Sequence, residues 1–284
     1  MANTASIFSS NHIKLFSIVT CRRGILLVLL WTNVAGAAAC RPAVERASSR
    51  GRVRVAAAAD LSVALGEIIA RFGASHAVDV GVSYGSSGTF HAQLLNHAPF
   101  DMFLSADVEY PRQLAARGLT LEKSEFTYAI GRLVLWTPAS SPLDIEHQGL
   151  QTLTSASVTH IAIANAEHAP YGRAAIGAMR SAGVYDRVRP KLVYGENVAQ
   201  ALQFAESGAA DVGFVPLALA LAPSLKDKGR WFEVPATTYP RLEQGGVILQ
   251  WAADVEASRA LRAFMLSAEG RAILARDGFF LPEP

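Results

Sequence analysis

From Val53 onward, short apolar runs alternate with stretches whose apolar residues recur at helical spacing. Residues 53–57 read as a strand. Over 61–72 the residues Leu61, Leu65, Ile68, Ile69 and Phe72 fall on one helical face. Residues 78–84 predict a second strand, 89–95 a short helix, 102–104 a buried strand and 110–116 a further helix. Strands alternating with amphipathic helices imply a mostly parallel sheet covered on both faces.

The rhythm then repeats. Residues 128–136 predict one long strand, 161–163 a strand, 172–182 a helix, 191–194 a strand, 198–207 a helix and 212–215 a strand. Residues 247–249 read as a strand running back toward the first unit, and 258–276 as a closing helix. The order fits an α/β protein of two units joined by two chain crossings; a single doubly wound sheet is the alternative. Lobe 1 is expected over 52–131 and 240–284, and lobe 2 over 132–239. No short-period repeat or low-complexity tract interrupts the pattern.

Upstream the pattern changes. The strongest apolar run, 24–31, follows Lys14, Arg22 and Arg23 and leads into Ala35, Gly36, Ala37, Ala38 and Ala39. A positive segment, a short apolar core and a small-residue end predict a secretory signal peptide over 1–39, with a polar linker over 40–51. Cleavage after Ala39 is one ending. Lipidation of Cys40 is the other, with Ala38 and Ala39 suiting it and Ala37 standing where Leu is usual. No stretch after residue 40 approaches the roughly 20 apolar residues of a membrane span.

The leader also changes how the charge is read. The chain carries 26 Lys/Arg and 24 Asp/Glu, of which six basic residues and Glu45 lie in 1–50, leaving 20 against 23 and a formal −3 afterwards. No basic stripe remains for nucleic acid. Cys21 and Cys40 are the two cysteines, so the region after the leader has no internal disulfide or thiolate metal site.

Two junctions put small and polar residues where a strand turns into a helix: Ala58-Ala59-Asp60-Leu61-Ser62 and Tyr84-Gly85-Ser86-Ser87-Gly88-Thr89. In open α/β sheets, ligands bind beyond the carboxyl ends of strands. Helix starts offer free N–H groups and a positive dipole end, which suit an anion without any Lys or Arg. Ser86 or Ser87 could add a hydroxyl donor. The plainer alternative is ordinary N-capping by Asp and Ser. Similar turns, Ala169-Pro170-Tyr171-Gly172 and Gly195-Glu196-Asn197-Val198, open two helices of the second unit. Four helix starts facing one cleft would surround a small tetrahedral ion.

Enzyme chemistry finds less support. Ser86 and Ser87 lie outside any G-x-S-x-G elbow, and the seven histidines show no H-E-x-x-H or comparable spacing. His91, after the serine turn, and His168, beside the Tyr171 turn, are the two to locate. No dinucleotide fingerprint or P-loop is present. No cofactor and no direct protein–metal ligand is expected.

An ordered series of motifs carries a family resemblance across about 53–280. It comprises Val55-Ala56-Ala57-Ala58-Ala59-Asp60-Leu61, Ser86-Ser87-Gly88-Thr89, and Pro99-Phe100-Asp101-Met102-Phe103-Leu104-Ser105-Ala106-Asp107. Phe126-Thr127-Tyr128-Ala129-Ile130-Gly131 follows, then the run from Ala164 to Gly172 and Glu196-Asn197-Val198-Ala199-Gln200-Ala201. The chain resembles the periplasmic molybdate-binding proteins that feed ABC transporters. The resemblance implies a two-lobed type II periplasmic-binding fold, a molybdate or tungstate ligand, an ABC-transporter membrane permease as partner, and a monomer. It implies a location in the periplasm, or on the membrane as a lipoprotein if Cys40 is acylated. Carried over by position, the oxyanion would be held by Asp60, by Ser87 through hydroxyl and backbone, and by the N–H groups of Tyr171 and Val198. Pro216 stands where some members have a tyrosine donor.

Asp60 stands where the family commonly has Ser or Asn. An ionised carboxylate about 5 Å from a dianion is repelled by roughly 7 kcal/mol at an effective dielectric near 20. Three resolutions are open: Asp60 caps its own helix and offers the ion only its N–H, which is the expectation; it is protonated; or the ligand carries less charge or brings a cation. Another small oxyanion is the alternative ligand, and a hydrolase with Ser87 as nucleophile the alternative class.

Overall fold

The computed structural model describes residues 50–283, all within one compact unit. The expected signal peptide over 1–39, Cys21, Cys40 and the linker as far as residue 49 lie outside the described residues.

The first half builds β1 (Gly51–Ala58), α1 (Ser62–Ser75), β2 (Val78–Gly85), α2 (Ser87–Leu94), β3 (Met102–Ser105), α3 (Glu109–Ala116) and β4 (Phe126–Gly131). The chain continues through β5 (Leu133–Pro138), α4 (Ile145–Gln148), β6 (Ile161–Ala164), α5 (Pro170–Ser181), α6 (Tyr185–Val188) and β7 (Leu192–Gly195). Then come α7 (Val198–Glu206), β8 (Val212–Pro216), α8 (Leu217–Ala220) and β9 (Gly229–Glu233). The last elements are β10 (Leu242–Ile248), α9 (Val255–Leu266) and α10 (Ala268–Arg276).

These strands form two five-stranded sheets, β2-β1-β3-β10-β4 and β7-β6-β8-β5-β9, so the single doubly wound sheet is ruled out. In the first, β1 is parallel to β2 and β3 while β10 runs antiparallel to β3 and β4. In the second, β6 is parallel to β7 and β8 while β5 runs antiparallel to β8 and β9. The reversed strands are the two that arrive directly from the other sheet. A strand fed by a covering helix re-enters at the common end, whereas one fed straight across a crossing starts from the opposite end.

The crossing explains the largest departure from the sequence reading. Residues 128–136 are not one strand: β4 pairs with β10, β5 pairs with β8 and β9, and Arg132 lies between the sheets. Apolar character runs through because both strands are buried, so periodicity carries no mark of the break. Arg132 Nε donates to Glu233 Oε1 at 2.7 Å, and its guanidinium stacks 4.5 Å from the Phe280 ring. The closing helix is likewise two helices. Ser267 ends α9 and caps α10, its side chain accepting from Gly270 N. Strand β10 begins five residues before the expected 247, at Leu242, because Gln244, Gly245 and Gly246 hide it from an apolar pattern.

Each sheet has its own core. Of the predicted face, Leu61 in the turn before α1 and Leu65, Ile68 and Phe72 of α1 are fully buried against Val53, Val55 and Met102, while Ile69 is partly buried. Each such side chain contributes about 1.5–3 kcal/mol by leaving water. On the second sheet Leu133, Ile161, Ile163 and Phe214 pack with Ala175 and Met179 of α5.

Candidate functional site

The strands fed by helices end at one side of each sheet, and the turns that follow them meet. Asp60 follows β1, Ser87 follows β2, Tyr171 follows β6 and Val198 follows β7; all four line one cavity. None of the lining residues is basic. The cavity is small, with a volume of ≈ 10 Å³.

At three of the helix starts, internal hydrogen bonding leaves N–H groups over, one each in α5 and α7 and those of Ser87 and Thr89 in α2, because the first turn has no intrahelical acceptor. In α5, Pro170 has no N–H, and the Gly172 and Arg173 N–H groups both go to Ala169 O, which leaves Tyr171 N. In α7, the Asn197 side chain takes Ala199 N and Gln200 N, and Ala201 N goes to Asn197 O, which leaves Val198 N. In α2, Gly88 N goes to His168 O and Phe90 N to Ser86 O, while Ser87 is the first residue of the helix.

The two serines divide their work. Ser86 Oγ donates to His168 O at 2.5 Å and caps nothing; with Gly88 N, 2.8 Å from the same carbonyl, it ties the two lobes together. A Cβ on Gly88 would lie 2.6 Å from His168 O, so this close approach requires glycine. Ser87 Oγ accepts from Ala106 N at 2.9 Å, which orients the hydroxyl and leaves its proton free to donate. The partner of Ser87 is thus a backbone amide rather than a histidine base. On the outer side, Arg173 Nη2 donates to Asp107 Oδ2 at 2.6 Å and Nη1 to the Tyr110 hydroxyl at 3.2 Å, again joining the lobes.

Asp60 does not cap its helix, contrary to expectation: neither the 3₁₀ turn at Ala59–Leu61 nor α1 has a side-chain cap. Its carboxylate points instead at the amide of Gln244, whose Nε2 donates to Asp60 Oδ2 and lies 3.3 Å from the Tyr171 hydroxyl. Near-total burial pushes the Asp60 carboxyl up to about 6, against the pull of Gln244, Tyr171 and the N–H groups of Asp60 and Leu61. Capping loses because β10 places a better donor beside the carboxyl than the helix start does. Gln244 gave no sequence signal, being one polar residue in an unrecognised strand.

Pro216 closes β8 and pairs with Leu133, outside the cavity lining. His91 and His168 are not lining residues either. The His91 ring packs 5.0 Å from Tyr110, and His168 contributes its carbonyl to the lobe contact while its side chain is half exposed.

Residues 53–280 match the bacterial extracellular solute-binding protein family. The chain is 36% identical to the molybdate-binding protein ModA of Rhodobacter capsulatus, over 82% of this chain and 89% of that one. It is 34% identical to ModA of Azotobacter vinelandii, over 83% and 92%. The solved periplasmic molybdate-binding protein of Azotobacter vinelandii superposes with a TM-score of 0.75 at 34% identity, over 81% of this chain and all of that one. Two helix-covered sheets, two crossings and a cavity at their shared edge agree with this match along the chain, which therefore belongs to the bacterial extracellular solute-binding protein family.

Proposed function

We propose that this protein captures molybdate outside the cytoplasm and hands it to the membrane permease of an ABC transporter. The observation that carries the reading is a small cavity walled by helix starts, with the Ser87 hydroxyl and no basic lining residue. Such a shell holds an anion through N–H dipoles and discriminates by size, since an ion too small cannot reach all donors at once. The molybdate-binding relatives supply the choice of ion. The bound ion would be held by Ser87 through hydroxyl and backbone, by the N–H groups of Tyr171 and Val198, and by the backbone of Asp60. Tungstate, of equal charge and nearly equal shape, fits the same shell. The protein works as a monomer in the periplasm, or at the membrane surface if Cys40 is acylated.

Calorimetric titration with molybdate, tungstate, sulfate and phosphate tests this directly. Tight binding of the first two, without turnover, is expected. Heat with phosphate alone would move the assignment to an oxyanion that brings its own proton to Asp60, and no heat with any of the four removes it. Ser87→Ala loses a charge-assisted donor worth about 1.5–3 kcal/mol, hence a molybdate Kd weaker by roughly ten- to hundredfold. An unchanged Kd in that variant would place the ion elsewhere.

A further inference from the structure

The contact between Asp60 and Gln244 leaves two acceptors bare. Gln244 Nε2 donates to Asp60 Oδ2, yet Asp60 Oδ1 and Gln244 Oε1 have no hydrogen-bond partner among the described residues. Both side chains are buried, Asp60 being 1% exposed and Gln244 0%. A carboxylate has no hydrogen to give, whereas a carboxylic acid has one, and a carboxylic acid and a primary amide can pair through two bonds at once. We propose that in the anion-loaded protein Asp60 is a neutral acid joined to the Gln244 amide, N–H to Oδ2 and O–H to Oε1, so that one proton enters with each anion. The inference rests on the anion-capture reading and deepens it: the site takes up an oxyanion and a proton together.

Geometry ties this proton to closure. Asp60 and Gln244 belong to the first sheet's lobe, and the Tyr171 ring that covers them comes from α5 of the second. A Cβ on Gly131 would run into the Tyr171 hydroxyl and lie 2.9 Å from Gln244 Nε2, so the pair is sealed where the crossing strand has no side chain. Parting the lobes removes Tyr171, admits water and returns Asp60 to ordinary acidity.

The groups facing Asp60 are uncharged. Tyr171 reaches it from α5 and Tyr128 from β4, and burial raises both phenols well above their usual range. Tyr128 donates to Ser105 O at 3.0 Å, and Tyr239, behind Tyr171, accepts from Leu133 N at 3.2 Å. No Lys, Arg or His stands among the groups acting on the carboxyl, so its charge has no counter-ion. Burial alone favours the protonated form, and a dianion in the adjoining cavity favours it further.

The test begins with the unmodified protein. Molybdate is titrated into the full protein between about pH 6 and 8.5, where the ion holds no proton of its own, in two buffers of different ionisation heat. Up to one proton taken up per anion is expected. The Kd should rise by as much as tenfold per pH unit until the bound-state pKa is passed. Asp60→Asn, which supplies an amide hydrogen at every pH, should bind with a pH-independent Kd and no uptake. Identical heats in both buffers together with a flat Kd in the unmodified protein would overturn the inference while leaving anion capture standing. Absence of binding would overturn the capture reading and the proton with it.

Discussion

Asp101, just before β3, and Asp60, just after β1, flank strands of the same sheet, both all but inaccessible to water, and their surroundings drive them in opposite directions. Asp101 Oδ2 accepts from Arg54 N at 2.7 Å and Arg54 Nε at 3.0 Å; Oδ1 accepts from Arg54 Nη2 at 3.1 Å and Ala253 N at 2.8 Å. Burial works to raise this carboxyl, but the bonds from Arg54 and Ala253 hold it below the usual range. Asp60 has the Gln244 amide, weaker pulls from Tyr171 and the N–H groups of Asp60 and Leu61, and no cation, and burial prevails. Burial therefore does not decide what a carboxylate does; the number and charge of its donors do. Four donors favour the ionised form of Asp101, which joins β1 to the segment before α9. Asp60, left short of donors beside the cavity, keeps the option of a proton.

The harshest test of that contrast is Asp101→Ala. It strands the Arg54 guanidinium and two backbone donors, and should cost about 3 kcal/mol in denaturant unfolding at pH 7. A loss below about 1 kcal/mol would break the comparison at its structural end. Because the folded pKa of Asp101 is depressed, its contribution is present above the unfolded value and fades as pH falls through the folded one.

Asp60→Asn should act with the opposite sign. The folded pKa is raised from 3.8 to about 6, so this carboxyl's stabilising contribution is complete below 3.8 and lost as pH rises through about 6. A displacement of that size corresponds to about 3 kcal/mol at most. Asparagine removes the ionisation, so the variant should gain stability relative to the parent at pH 8 and not at pH 4. Equal shifts in melting temperature at both values would show that Asp60 is not strained by ionisation.

Asp107 samples the middle of the scale, with its side chain 28% exposed and a single arginine from the other lobe at 2.6 Å. Arg173→Ala should cost the folded protein no more than about 1 kcal/mol, since an exposed pair is worth little. The larger signal is expected in faster molybdate release, read by stopped-flow, because the pair crosses the lobes. An unchanged release rate would leave closure to Ser86, Gly88 and His168.

The same contrast marks what was legible beforehand. The face of α1 was readable because Leu61, Leu65, Ile68 and Phe72 repeat with the period of a helix. The helix starts were readable because serine, glycine and proline mark the end of a strand. The tie between Ser86 and His168 spans 82 residues, and the one between Asp60 and Gln244 spans 184, so no local pattern could announce either. Residues 128–136 misled for a related reason: apolar periodicity records burial and is blind to which sheet does the burying.

Family resemblance singled out Ser87, Tyr171 and Val198; the order of residues by itself pointed to two α/β units and to the strand ends where an anion could sit. Local propensity and apolar period are properties of neighbours along the chain, and they suffice for that much. Tertiary structure alone decided which serine keeps a free proton, that Asp60 faces Gln244 rather than its own helix, and that Gly131 leaves room for Tyr171. Hydrogen-bond partners and desolvation depend on what folding brings within about 3 Å, and only the folded chain sets those neighbours.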